Sequence, residues 1–135
     1  MIRLAVDKEK CTGCRACMLE CAAAHDHAFS LSSARIWIEQ EESKWLFSPR
    51  VCRQCDDHPC IAACPSSAIV RDSTTGAIRI RSESCTACGL CAHACPYGGI
   101  ALHPLLQEAT VCDLCGGSPQ CVEVCLPRAI VLEEV

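Results

Sequence analysis

Sixteen of the 135 residues are cysteine, and they fall into four groups of four. The groups are Cys11, Cys14, Cys17 and Cys21; Cys52, Cys55, Cys60 and Cys64; Cys85, Cys88, Cys91 and Cys95; and Cys112, Cys115, Cys121 and Cys125. A thiolate is a soft metal ligand, and a pair of thiols can oxidise to a disulfide, so three chemistries compete: disulfides, zinc and iron–sulfur clusters. The first and third groups read C-x2-C-x2-C-x3-C. Such a run wraps one 4Fe-4S cluster with three cysteines and gives its fourth to a second cluster. The second and fourth groups widen the middle gap to four and five residues. A zinc knuckle needs only two separated pairs, and nothing in its tetrahedral site calls for three cysteines spaced by twos. Disulfides are disfavoured wherever thiols are kept reduced. Four thiolates per cluster use all sixteen cysteines, so the expected cofactors are four 4Fe-4S clusters.

The elements that position these thiols follow from the same spacing. The fourth cysteine of a run lies about one helical turn beyond the third, at roughly 3.6 residues per turn, so each group should end in a short helix. Proline follows the fourth cysteine at Pro65 and Pro96 and comes one residue later at Pro127. A proline there cannot continue the helix and re-aims the chain. Residues 68–71 and 77–81 flank Asp72-Ser73-Thr74-Thr75-Gly76 and predict a β-hairpin. Residues 34–39 and 44–47 flank Glu41-Glu42-Ser43 and predict a second one. A C-terminal strand over 129–134 can pair with residues 2–6, which would bring the first and last groups together. Two pairings of the groups remain open: outer with outer and inner with inner, or one with two and three with four.

Composition limits the alternatives. Hydrophobic residues make up 50% only because cysteine is counted among them, and aromatic residues are 4%. The apolar core is therefore thin, and the clusters must fill the interior. The net charge of −4 argues against a nucleic-acid partner and against attraction to an anionic membrane surface. No apolar run approaches the roughly 20 residues of a membrane span, so no direct membrane insertion is expected. Residues 1–8 lack the apolar stretch of a secretory signal, which predicts a cytoplasmic location.

The four groups, with the widened gap in the second and fourth, resemble the polyferredoxin electron-transfer subunits of the dimethyl sulfoxide reductase B-subunit type. Relatives of that type serve formate dehydrogenases, hydrogenases, carbon monoxide dehydrogenases and tungsten aldehyde oxidoreductases. The segment Cys21-Ala22-Ala23-Ala24-His25 through Ala34-Arg35-Ile36 resembles the short members that accompany the tungsten enzymes.

The resemblance implies an α+β fold of two fused bacterial-ferredoxin-like modules with short helices and β-hairpins, all within one domain of residues 1–135. The outer module would take residues 1–30 and 105–135 and the inner module 50–104, with a hairpin insertion at about 31–49. It implies the ligand sets Cys11, Cys14, Cys17 with Cys125; Cys112, Cys115, Cys121 with Cys21; Cys52, Cys55, Cys60 with Cys95; and Cys85, Cys88, Cys91 with Cys64. It also implies a catalytic partner, a molybdenum- or tungsten-pterin enzyme, and a further electron carrier or subunit. With every iron held by protein sulfur, no open site remains for substrate, and the chain itself is expected to be non-catalytic. A free-standing polyferredoxin, or a subunit of a hydrogenase or carbon monoxide dehydrogenase, is the alternative. Two positions depart from the pattern: Ala22 and Leu126 stand where proline would follow the fourth cysteine.

Among the remaining residues, His25, His27, His58, His93 and His103 are expected to pack or face solvent, with His93 placed to touch a cluster. Trp37, Trp45 and Phe47 are expected to pack over the clusters, and Tyr97 to shield one. Glu39, Glu41 and Glu42 read as a solvated hairpin tip. Lys10, Arg15 and Arg53 lie close enough to cysteines to offset cluster charge. Because the clusters replace an apolar core, metal binding is folding free energy here. Chelating the iron is expected to unfold the domain; a far-UV circular dichroism spectrum unchanged after cluster loss would refute this.

Overall fold

Proline directly after the fourth cysteine stops the helix in two of the four groups. The computed structural model describes residues 2–27, 30–41, 46–103 and 105–134. It places four helices among the cysteine groups: α1 (Ala16–Asp26), α2 (Pro59–Ala63), α3 (Leu90–Ala94) and α4 (Gln120–Val124). A proline restricts the residue before it to extended backbone. Cys64 and Cys95 accordingly end α2 and α3 with ψ of 113° and 115°. At α4 the displaced Pro127 restricts Leu126 instead, and Cys125 still ends the helix (φ −81°, ψ 96°). Ala22 removes this stop in the first group. The Ala22-Ala23-Ala24 run has the best helix propensity available. Helix α1 therefore continues past Cys21 to 11 residues, against five in each of the others. It closes on His27 in the left-handed region, whose N–H donates to the Ala23 carbonyl.

The strands form two-stranded antiparallel ribbons. β1 (Ile2–Val6) pairs with β8 (Ile130–Glu134), running from Ile2↔Glu134 to Val6↔Ile130, so the two ends of the chain are zipped together. β2 (Ile36–Glu41) pairs with β3 (Leu46–Val51). This corrects the expected second strand at 44–47: the strand lies further along and contains Pro49. A two-stranded ribbon leaves each strand an open edge, where a missing N–H is tolerated. The turn of this hairpin and Trp45 lie outside the described residues. β4 (Ile69–Arg71) pairs with β5 (Ile78–Ile80), as the Asp72–Gly76 turn predicted. β6 (Ile100–Leu102) pairs with β7 (Ala109–Val111).

Helix α1 packs on α4 and α2 packs on α3. The interior is built from Ile36, Ile78, Leu114 and Ile130 together with the buried Cys17, Cys21, Cys52, Cys60, Cys91, Cys112 and Cys121. Sulfur thus fills much of the space that aromatic side chains fill elsewhere. The two inner groups meet at Gly99, where a Cβ would lie 2.6 Å from the Cys52 Cα and 2.8 Å from its backbone nitrogen. Gly99→Ala is expected to cost about 1–3 kcal/mol by forcing the two loops apart. A shift in the denaturant midpoint of the iron-loaded protein reads this, and an unshifted midpoint would contradict it.

Candidate metal centres

Each group opens with the same backbone device. The residue before the second cysteine is left-handed in all four: Gly13 (φ 75°), Gln54 (φ 48°), Ala87 (φ 59°) and Leu114 (φ 58°). Only one of these is glycine, and a left-handed conformation costs the others roughly 1–2 kcal/mol each. Alternation of right- and left-handed residues turns successive N–H groups to one side and makes a concavity that favours negative charge, a geometry common at iron–sulfur sites.

Further N–H groups point directly at sulfur. Gln54 donates to Cys52 Sγ (3.4 Å), Ala68 to Cys64 (3.3 Å) and Gly99 to Cys95 (3.4 Å). Across the sequence, Arg35 donates to Cys21 (3.1 Å) and Ala109 to Cys85 (3.3 Å).

The fold gathers the thiols from different groups. Cys11, Cys14, Cys17 and Cys125 line one small cavity, and Cys64, Cys85, Cys88 and Cys91 line another. Cys55, Cys60 and Cys95 are the electrostatic neighbours of Cys52. Cys21, Cys115 and Cys17 are the electrostatic neighbours of Cys121, and Cys121, Cys52 and Cys21 those of Cys112. Each helix spans two sets: α1 carries Cys17 and Cys21, while α4 carries Cys121 and ends at Cys125. Helix α2 carries Cys60 and ends at Cys64, and α3 carries Cys91 and ends at Cys95.

Burial, followed by repulsion from neighbouring thiols, pushes Cys17, Cys52 and Cys121 up to about 12 and Cys60 up to about 11. Burial also raises Cys112 well above the ordinary thiol range. Cys64 moves the other way, held below the ordinary thiol range by the Ser66 hydroxyl and the Ala68 N–H. Thiolates packed this closely need positive charge among them. The donor set, all sulfur with N–H groups turned inward, fits iron–sulfur clusters.

A cavity of about 390 Å³ lies elsewhere and has no cysteine in its lining. Its charges are mostly paired, Arg3 with Glu133 and Arg50 with Glu39, while Arg53 lies over the Tyr97 ring at 5.2 Å. Glu39 is thus a cross-strand ion-pair partner and not a free hairpin tip. Tyr97, expected to shield a cluster, is 42% exposed. Phe47 does pack on a cysteine loop: a Cβ at Gly13 would lie 2.5 Å from its ring. Trp37 is half-buried and carries the Arg50 guanidinium at 5.3 Å.

His93 is exposed on α3, because the buried face of that helix is taken by Cys91. The histidine that reaches a thiol is His25, four residues past Cys21 on the extended α1. Its Nδ1 lies 2.9 Å from the Cys21 carbonyl and 3.7 Å from Cys21 Sγ, and its Nε2 lies 2.9 Å from Asp113 Oδ1. Asp113 also accepts the Cys115 N–H at 3.0 Å. The Asp113 carboxylate, then Cys21, raise His25 to about 10. Although partly buried, Asp113 is held below the usual carboxylate range by His25.

The other histidines pack or face solvent. His58 Nε2 accepts from Arg71 at 2.7 Å, and His27 is exposed. His103 Nδ1 accepts the N–H groups of Leu105 and Leu106, so its Nε2 carries the proton and donates to Asp26 at 2.7 Å. Neither the His25–Asp113 pair nor the buried Gln54 was anticipated from sequence. The missing proline at Ala22 was the available signal for the first.

Residues 43–135 match the 4Fe-4S dicluster domain family, and residues 8–24 match a 4Fe-4S binding domain. The chain belongs to the 4Fe-4S dicluster domain family, and it is an iron–sulfur electron-transfer protein of the ferredoxin kind. It is 39% identical over 92% of its length to the polyferredoxin-like subunit of an aliphatic sulfonate oxidoreductase from Pyrococcus furiosus, of which it covers 71%. It is 38% identical over 90% of its length to the β subunit of an NADH-dependent phenylglyoxylate dehydrogenase from Aromatoleum evansii, of which it covers 28%. Its fold is similar to a chain in the active site complex BamBC of benzoyl coenzyme A reductase with benzoyl-CoA. That match has a TM-score of 0.59 at 22% identity and covers 98% of this chain and 79% of that one. Among the described residues, no helix is long and apolar enough to cross a membrane.

Asp113→Ala removes the acceptor shared by His25 and Cys115 and is expected to cost about 1–3 kcal/mol. Asp113→Asn keeps an oxygen at that place and should recover part of the loss. Denaturant midpoints of the iron-loaded variants read the difference, and a wild-type midpoint in the alanine variant would refute it.

Proposed function

We propose that the chain is the electron-transfer subunit of a multi-subunit oxidoreductase and holds four 4Fe-4S clusters. The ligand sets are Cys11, Cys14, Cys17 and Cys125; Cys21, Cys112, Cys115 and Cys121; Cys52, Cys55, Cys60 and Cys95; and Cys64, Cys85, Cys88 and Cys91. Bound clusters supply one-electron exchange. The observation that carries the reading is the partition of the thiols into fours with none left over. It leaves iron no open position for a substrate, so the chain is non-catalytic.

Contacts between thiols of different sets support an order for the four. The thiol of Cys17 is a neighbour of Cys121, and Cys52 is a neighbour of Cys112. The sets therefore follow one another from the Cys11 set through the Cys112 and Cys52 sets to the Cys85 set. Two cysteines are exposed, Cys14 and Cys88, and they belong to the first and last sets. These are the ends at which partners exchange electrons with the protein.

The pairing of α1 with α4 and of α2 with α3 supports two fused ferredoxin-like modules. The outer one comprises residues 1–30 and 105–135 and the inner one 50–104, with the hairpin at about 31–49 inserted between them. The naming of the Pyrococcus furiosus relative as a subunit of an oxidoreductase supports a catalytic partner. We assign that partner to the molybdenum- or tungsten-pterin class. The chain would then be of the dimethyl sulfoxide reductase B-subunit type, in the short form that accompanies tungsten aldehyde oxidoreductases, and work in the cytoplasm.

Iron and acid-labile sulfide in anaerobically prepared protein should each approach sixteen per chain, as four clusters of four irons require. Cys125→Ala should remove about four of each with the Cys11 set. Far fewer irons in the unaltered protein, or an undiminished count in the variant, would sink the assignment.

A further inference from the structure

Gln54 lies where the two middle thiol sets approach each other. It is 6% exposed, and both ends of its side-chain amide are used. Nε2 donates to the Cys112 carbonyl at 2.8 Å, and Oε1 accepts the Ile78 N–H at 2.6 Å. Its own backbone N–H is turned to Cys52 Sγ at 3.4 Å, in the left-handed conformation shared by all four loops. One residue therefore ties the loop of the second group to the loop of the fourth and to β5. The two cysteines it joins, Cys52 and Cys112, belong to different sets, and their thiols are close enough to interact electrostatically.

The contact is specific to an amide. One end must donate to a carbonyl and the other must accept an N–H. A carboxylate would lose the donor, and an aliphatic side chain would leave both backbone groups without partners, each at a desolvation cost. Asparagine is one methylene too short to span the same gap from the same Cα.

We propose that Gln54 is a positioning residue for electron transfer between the two halves of the protein. It holds the Cys52 and Cys112 loops at a fixed separation, and so fixes the distance an electron must tunnel between the two middle sets. This rests on the four-cluster reading above. Tunnelling weakens exponentially with distance, so a small relaxation at this seam slows transfer even when the fold survives.

The test uses the full chain, prepared anaerobically, with Gln54→Met and Gln54→Asn beside the unaltered protein. Electron paramagnetic resonance of the fully reduced protein reads the magnetic coupling between neighbouring clusters. Pulsed reduction reads the rate at which an electron redistributes within the chain. The expected result is iron content equal to the unaltered protein, a weakened inter-cluster coupling and slower redistribution. Full iron content with coupling and rate unchanged would overturn the proposal. Loss of iron in both variants would overturn it too, because Gln54 would then serve cluster assembly and not spacing. An unaltered protein with far fewer than about sixteen irons would instead defeat the four-cluster reading itself.

Discussion

The structure depends on keeping buried sulfur charged. Seven of the cysteines are buried, and burial resists the ionisation of Cys17, Cys52, Cys60, Cys91, Cys112 and Cys121. A carboxylate in such a place would be neutralised or paired, but a cysteine ligand must be a thiolate. The fold answers in two ways that can be seen in its backbone. Each cysteine loop takes a left-handed residue before its second cysteine, turning N–H groups inward, and separate N–H groups from distant parts of the chain are donated to sulfur. These donors offset part of the charge, and the iron of a bound cluster must offset the rest. The same sulfur replaces the aromatic residues that the chain lacks, so the metal site and the hydrophobic core are one object.

The four groups are variations on one unit, and the variations have consequences. Where proline follows the fourth cysteine, the helix ends on the ligand and the chain turns at once into a strand. Helix α4 ends on Cys125 as well, although its proline stands one residue later and restricts Leu126. Without proline, α1 runs on and brings His25 to Asp113, which in turn caps the loop of the fourth group through the Cys115 N–H. The extension of α1 thus makes a contact between the first and fourth groups that has no counterpart between the inner pair among the described residues. The β1–β8 ribbon closes the same ends of the chain independently.

Much of this was legible in the sequence, and the parts that were not share a cause. Cysteine spacing is a local signal with a chemical meaning, and it predicted short helices and thiol groups. The Asp72–Gly76 turn marked the β4–β5 hairpin, and the aliphatic residues at both termini marked β1 and β8. The left-handed residues Gln54, Ala87 and Leu114 carry no glycine to announce them, because the surrounding loop imposes the conformation. β7 consists of Ala109, Thr110 and Val111, too short for alternation to register. Pro49 concealed the true extent of β3. Gln54 acts across 58 residues of sequence, so no local pattern could have revealed it; Asp113 lies 88 residues from His25, and the missing proline at Ala22 was the local sign of that contact.

On the four-cluster reading, the distribution of exposure carries the last step. The potential of an iron–sulfur site responds to solvent and to hydrogen bonds on its sulfurs. The two end sets each contain one exposed cysteine, Cys14 or Cys88, while the middle sets contain the buried Cys21, Cys52, Cys60, Cys112 and Cys121. On that reading the ends are the more open to partner proteins, and the middle is the more shielded from water. A buried seam must satisfy its own backbone groups. Gln54 does so with one amide, without introducing a charge beside the thiols. On the proposed reading, the conduction path and the seam that holds the two halves together pass through the same few atoms.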